Sequence, residues 1–164
     1  MTVFEQFKDN PSCDLIFIGG RYRPKTKGFV GYFTQDALSK ISVNKAFVGV
    51  NGIDLEKVTI SDEEEGRCND TILNNATERY VLADHSKFST HAFYSFYRLK
   101  DLTAIISDDK LDENIKEQYN NYSTKITKLW RPEDSEETYS KCWKEKDCQP
   151  RIPSPAKLSF KKMK

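Results

Sequence analysis

The sequence predicts an α/β fold built on a mostly parallel sheet with flanking helices, and two observations carry that prediction. Two segments, Asp14-Leu-Ile-Phe-Ile18 and Lys45-Ala-Phe-Val-Gly-Val50, are nearly continuous apolar runs, and Tyr80-Val-Leu-Ala83 and Leu102-Thr-Ala-Ile-Ile106 are similar. Such runs fit strands buried on both faces. Between them lie helical spacings: Phe33, Ala37 and Leu38 precede the second run, and Cys68, Ile72 and Ala76 recur every fourth residue before the third. The resulting order of strand, helix, strand, helix, strand implies right-handed crossovers and a parallel sheet.

The helix expected over roughly 63–76 opens on Asp62-Glu-Glu-Glu65. This places carboxylates at the positive end of its dipole, and the run reads as a solvated first turn. A polar helix near 111–121 and a strand pattern, Thr124-Lys-Ile-Thr-Lys-Leu129, close the compact region. Residues 1–129 are therefore assigned to one domain. Residues 130–164 carry Arg131-Pro-Glu-Asp-Ser-Glu-Glu137, then Pro150, Pro153 and Pro155, then Lys157, Lys161, Lys162 and Lys164. That stretch has little periodicity and few clustered apolar residues, so disorder or loose packing is expected.

With 164 residues, 37% hydrophobic and 31% charged, the chain suits one soluble domain with a modest core. A net charge of +1 gives no general reason to wrap nucleic acid or sit on an anionic membrane. No stretch approaches the roughly 20 apolar residues of a membrane span, and the N-terminus lacks the basic and apolar regions of a signal peptide. A cytoplasmic protein is expected. Cys13, Cys68, Cys142 and Cys148 form no CxxC pair and only His85 and His91 supply imidazole, a poor set for a metal site. Free thiols are expected, and no cofactor.

In an open parallel sheet, ligands bind beyond the carboxyl ends of the strands, so the loops after each apolar run carry the candidates. After the first run, Gly19 and Gly20 permit close backbone approach, while Arg21, Arg23, Lys25 and Lys27 gather four cations suited to an anion. A plain basic surface loop explains them equally, since no GxxxxGK or GxGxxG pattern is present. Asn51-Gly52 closes the second run, and Asp54 offers a carboxylate to sugar hydroxyls or forms an ordinary Asx turn. The third run ends in Asp84-His-Ser-Lys87, an acid, an imidazole, a hydroxyl and an amine together. No nucleophile elbow or Ser-His-Asp spacing accompanies His85, so catalysis is not expected there.

In this order, Phe17-Ile-Gly-Gly-Arg-Tyr22, Lys45-Ala-Phe-Val-Gly-Val-Asn-Gly-Ile-Asp54 and Leu82-Ala-Asp-His-Ser-Lys-Phe88 resemble the C-terminal sensor domain of DeoR-family transcriptional repressors. The resemblance extends to Phe29-Val-Gly31, Val58-Thr59 and Ile105-Ile-Ser-Asp108 and covers about residues 3 to 126. Within the family, Glu63-Glu-Glu-Gly-Arg67 and Phe93-Tyr-Ser-Phe-Tyr97 are similar to repressors of lactose phosphotransferase operons, whose inducers are hexose phosphates of the tagatose pathway. The resemblance implies a Rossmann-like fold similar to ribose-5-phosphate isomerase and glucosamine-6-phosphate deaminase. It also implies a phosphosugar pocket touching Gly19, Gly20, Arg21, Asn51, Gly52, Asp54, Thr59, Asp84 and Lys87, with tagatose 6-phosphate as a model effector.

Two departures from the family pattern stand out. Members begin with a winged helix-turn-helix and then an Asp-x-Gly-Thr-Thr phosphate loop, neither of which this chain contains, and the stretch from about Trp130 matches no family segment. The sequence therefore reads as a truncated, non-enzymatic effector sensor that reaches DNA only through a domain it lacks, with self-association or full-length repressor as its protein partners. The rivals are a sugar-phosphate isomerase or deaminase, weakened by Asn51 where the isomerases carry an acid, and a regulator that acts only by protein association.

Overall fold

The computed structural model describes residues 7–12, 14–120 and 125–128. Two compact units divide the chain: Phe17–Leu129, and a unit made of Met1–Ile16 with Trp130–Lys164. The expected disordered tail and Cys13, Cys142 and Cys148 lie outside the described residues. In the smaller unit, the Asn10 amide donates to the Phe7 carbonyl at 3.0 Å, closing a turn.

The larger unit begins with a hairpin, β1 (Arg21–Arg23) and β2 (Gly28–Val30), followed by α1 (Tyr32–Ser39). Next come β3 (Val43–Gly49), the short pair β4 (Gly52–Ile53) and β5 (Lys57–Ile60), and α2 (Glu63–Asn74). Then follow β6 (Ala76–Leu82), a 3-10 turn at His85–Lys87, β7 (Tyr94–Arg98), a second 3-10 turn at Leu99–Asp101, β8 (Ala104–Ser107), α3 (Glu113–Asn120) and β9 (Lys125–Lys128). Strands β3, β6, β8 and β9 form a parallel sheet in that order. A separate antiparallel sheet runs β4-β5-β7. The α/β expectation with a mainly parallel sheet therefore holds.

The helix boundaries follow their caps. The Asp62 carboxylate accepts the Glu65 amide at 3.0 Å at the start of α2, and Asp112 accepts the Asn114 amide at 2.8 Å before α3. The core gathers Val48, Val81 and Ile105 from the parallel sheet, Ile53, Val58 and Ile60 from the antiparallel one, Leu73 of α2 and Tyr119 of α3.

Two expectations fail. The first apolar run, Asp14–Ile18, is not a strand: no described segment offers it a hydrogen-bonding ladder, and Ile16 is 86% exposed. Hydrophobicity alone does not make a strand without a neighbour to satisfy its backbone. The second run is a strand, but it is not buried on both faces. Ala46 and Val48 point into the core while Phe47 is 53% exposed, stacked on Tyr80 of β6 at 4.9 Å and 12°. The strand order explains this: each crossover steps the same way across the sheet, so right-handed connections all lie over one side.

Candidate ligand-binding site

Because the four strands of the sheet are parallel, their carboxyl ends share one edge, and the chain after β3, β6 and β8 delivers Asn51, Asp84 to Lys87, and Asp108 there. A parallel bridge between Ile53 and Phe88 ties the β4–β5 turn to the segment following the 3-10 turn. The Tyr119 hydroxyl, wholly buried, reinforces the join by donating to the Ile53 carbonyl at 2.9 Å and accepting the Ser89 amide at 3.0 Å. Helix α3 thus fixes two loops at once.

Asp54 occupies the tip of the β4–β5 turn. Its Oδ1 accepts the amides of Glu56 and Lys57 at 3.0 and 2.8 Å, and its Oδ2 meets the His91 Nδ1 at 3.1 Å. Partial burial pushes this carboxyl up, but the two amides and His91 outweigh it and hold the group below the usual carboxylate range. With Leu55, Glu56, Lys57 and His91 it lines an open cleft of about 400 Å³. A larger groove of about 500 Å³, between α2 and β7, pairs its own polar groups: Arg98 with Asp101 at 3.5 Å and Asn74 with Asp70 at 3.0 Å.

At the end of β6, Asp84 caps the 3-10 turn by accepting the Ser86 amide at 2.9 Å, and the Ser86 hydroxyl and amide hold its carboxyl low. The Lys87 ammonium lies 3.8 Å from it. Across to β8, Asp108 grips His85 twice, accepting the His85 amide at 3.0 Å through Oδ1 and meeting Nδ1 at 2.8 Å through Oδ2. That imidazole contact holds the Asp108 carboxyl below its ordinary range. Beside it, the Ser107 hydroxyl is buried without a hydrogen-bond partner in the structure.

The other expected contacts have structural employment. Gly19 receives the Thr34 hydroxyl on its carbonyl at 3.0 Å, and a Cβ on Gly20, at φ +154°, would sit 1.9 Å from the Thr34 Oγ1. The glycine pair therefore seats α1 against the hairpin. Arg21 pairs with Glu64, and Arg23 pairs with Asp62 and lies 4.0 Å from Glu65, so two of the loop's four cations are met by the acidic start of α2. The Asn51 side chain accepts the Ser61 amide at 2.9 Å. Thr59 is fully buried; its hydroxyl donates to the Gly52 carbonyl at 3.0 Å and accepts the Ala92 amide at 2.9 Å. A Cβ on Gly52 would stand 2.6 Å from the Thr90 carbonyl oxygen, so only glycine fits there. Asp54, Asp84 and Lys87 come to the strand-end region, whereas Gly19, Gly20 and Arg21 belong to the hairpin.

Sequence reading gave His85 no binding role and knew Asp108 only as part of a matching stretch. A histidine and an aspartate, 23 positions apart, at the ends of two adjacent predicted strands was the available signal. Among the described residues no cluster of three metal-binding side chains occurs. No helix among them is long and apolar enough to cross a membrane.

Comparison with known proteins agrees with this picture. The family model of the DeoR C-terminal sensor domain matches residues 1–109. The chain is 33% identical over 124 residues to the lactose phosphotransferase system repressor of Lactococcus lactis, covering 76% of this chain and 49% of that protein. It is 35% identical over 109 residues to the protein of the same name in Streptococcus mutans, covering 66% of this chain and 43% of that one. The HTH-type transcriptional regulator IolR of Bacillus subtilis is 34% identical over 116 residues, covering 70% and 46%. The chain thus spans about half the length of the curated relatives it matches.

Proposed function

This chain belongs to the DeoR C-terminal sensor domain family, and from that premise we propose that it is a sugar-phosphate sensor whose effector sits at the carboxyl edge of the parallel sheet. The carrying observation is the chemistry collected there. Lys87, 3.8 Å from its nearest carboxylate, is near enough to Asp84 to be oriented and far enough to be recruited by a phosphate. Asp54, Asp84 and Asp108 are held ionised by hydrogen bonds, and the Asp84 Oδ2, met among the described residues only by Lys87 at 3.8 Å, offers an acceptor to a hydroxyl. A ligand with one dianionic group and several hydroxyls matches that inventory, and a hexose 6-phosphate such as tagatose 6-phosphate is of this kind.

The role is regulatory. An effector with different affinities for two states of a repressor shifts their populations, and through them an attached DNA-reading domain. Self-association, or association with full-length repressor, would carry that shift, in the cytoplasm and without a membrane. A non-enzymatic role is supported by Asn51, whose side chain is spent on the Ser61 amide where the isomerases carry an acid, and by Asp54, whose oxygens already serve two amides and His91. Calorimetric titration with tagatose 6-phosphate and fructose 6-phosphate, against the unphosphorylated sugars, tests the reading. Binding of the phosphates alone supports it; absence of heat from every one, or turnover of ribose 5-phosphate in a coupled assay, refutes it.

A further inference from the structure

The two-point grip of Asp108 on His85 has no counterpart in the pocket described by resemblance. One carboxylate takes both the backbone N–H and the ring Nδ1 of the same residue, at 3.0 and 2.8 Å. Such a chelate fixes the ring plane as well as its position. In the neutral ring the ionised carboxylate takes the Nδ1 proton, and Nε2 carries the lone pair. His85 is 43% exposed on its side chain while Asp108 is 24% exposed, so the acceptor is the more accessible half of the pair. Asp108 thus holds one ring nitrogen of a half-exposed side chain.

Its surroundings give the lone pair a purpose. Lys87 lies two residues further along the same 3-10 turn, so a cation and the imidazole sit on one short segment. Resting on the sugar-phosphate reading above, we propose that His85 is a specificity residue of the effector site: Nε2 accepts a hydrogen bond from a sugar hydroxyl while Lys87 meets the phosphate, and Asp108 is the positioning residue that fixes the tautomer. Discrimination follows, because a ligand lacking a hydroxyl at that place would cover the acceptor without pairing it.

The test uses the whole chain, fructose 6-phosphate as the probe, and three variants. In His85→Asn the amide still reaches Asp108 but nothing occupies the Nε2 position, and affinity falls roughly three- to tenfold, the worth of one neutral hydrogen bond. In His85→Gln the amide stands where Nε2 was, and affinity stays within about twofold. Sulfate, an anion without hydroxyls, competes equally in wild type and His85→Asn. Long-range proton–nitrogen NMR spectra show the Nδ1-protonated tautomer in the wild type, an Nε2 resonance that moves on adding ligand, and mixed tautomers with weaker binding in Asp108→Asn. Equal affinity of wild type and His85→Asn, or an Nε2 resonance that ignores the ligand, overturns the role of His85. An unchanged tautomer and affinity in Asp108→Asn overturns the positioning role. If the wild type itself takes up no sugar phosphate, the proposed function and this inference fall together; the other outcomes leave the former standing.

Discussion

The hairpin and the strand-end edge both concentrate charge, and they dispose of it in opposite ways. In the hairpin, Arg21 and Arg23 meet Glu64, Asp62 and Glu65 of α2, cation against anion across two elements. At the strand ends the carboxylates are occupied largely by amides of their own loops and by imidazoles, and Lys87 is held only at 3.8 Å from Asp84. The first arrangement closes a surface and the second leaves one open. Charge density alone therefore does not single out a ligand site; the proposed function places it beside Lys87, whose ammonium lies 3.8 Å from Asp84.

One effect that separates the regions is steric. Gly52→Ala pushes a methyl group against the Thr90 carbonyl and the buried Thr59 hydroxyl. Overpacking of that kind costs about 1 to 3 kcal/mol, read as a lower urea midpoint. An unchanged midpoint would mean that the β4 turn is looser than its contacts require.

Lys87→Ala is next, and it acts on binding rather than stability. Loss of a charge-assisted hydrogen bond of about 1.5 to 3 kcal/mol weakens effector affinity roughly ten- to a hundredfold. Titration of both proteins with the same sugar phosphate reads it, and equal dissociation constants place Lys87 outside the site. The hairpin counterpart is Arg23→Ala: it should lower stability by about 1 kcal/mol, because the guanidinium is mostly covered, and leave effector affinity untouched. A tenfold loss of affinity in that variant would erase the contrast between the regions.

The smallest effect is in proton titration. Burial pushes the Glu65 carboxyl up despite nearby Arg23, whereas Asp54 and Asp108 are held low. The two depressed groups contribute stability that is full above the unfolded carboxylate range, near pH 4, and is lost as pH falls through their folded values. Glu65 runs the other way: its contribution is present below its unfolded value, about 4.3, and is lost as pH rises through the folded one. Carbon-detected NMR of the carboxyl groups should order them with Glu65 titrating last as pH rises. A Glu65 that titrates together with Asp54 removes this distinction.

Much of the scaffold was legible because it is written in local pattern. The runs 45–50, 80–83 and 102–106 became β3, β6 and β8, and Asp62 before Glu63–Asn74 capped its helix as dipole and propensity arguments require. What was illegible depends on partners distant in sequence. The apolar run 14–18 reads as a strand until its missing neighbour is known, and the exposure of Phe47 follows from strand order, which no local window contains. The antiparallel sheet was missed because β4 has two residues and β5 four. At the site, the Asp84 to Lys87 turn was visible as a cluster, but the pairing of Arg21 with Glu64 and of His85 with Asp108 bridges 43 and 23 positions. Tyr119 was read as part of a polar helix; only packing shows that it pins Ile53 and Ser89 together.

Amide chemical-shift mapping during titration with fructose 6-phosphate tests the central claim most directly, because it lets the two charged regions compete within one molecule. The account predicts shifts concentrated at 52–54, 84–88 and 107–108, with the hairpin residues 20–31 unmoved. Perturbations centred on the hairpin and the first turn of α2, with Lys87 and Asp108 silent, would contradict it.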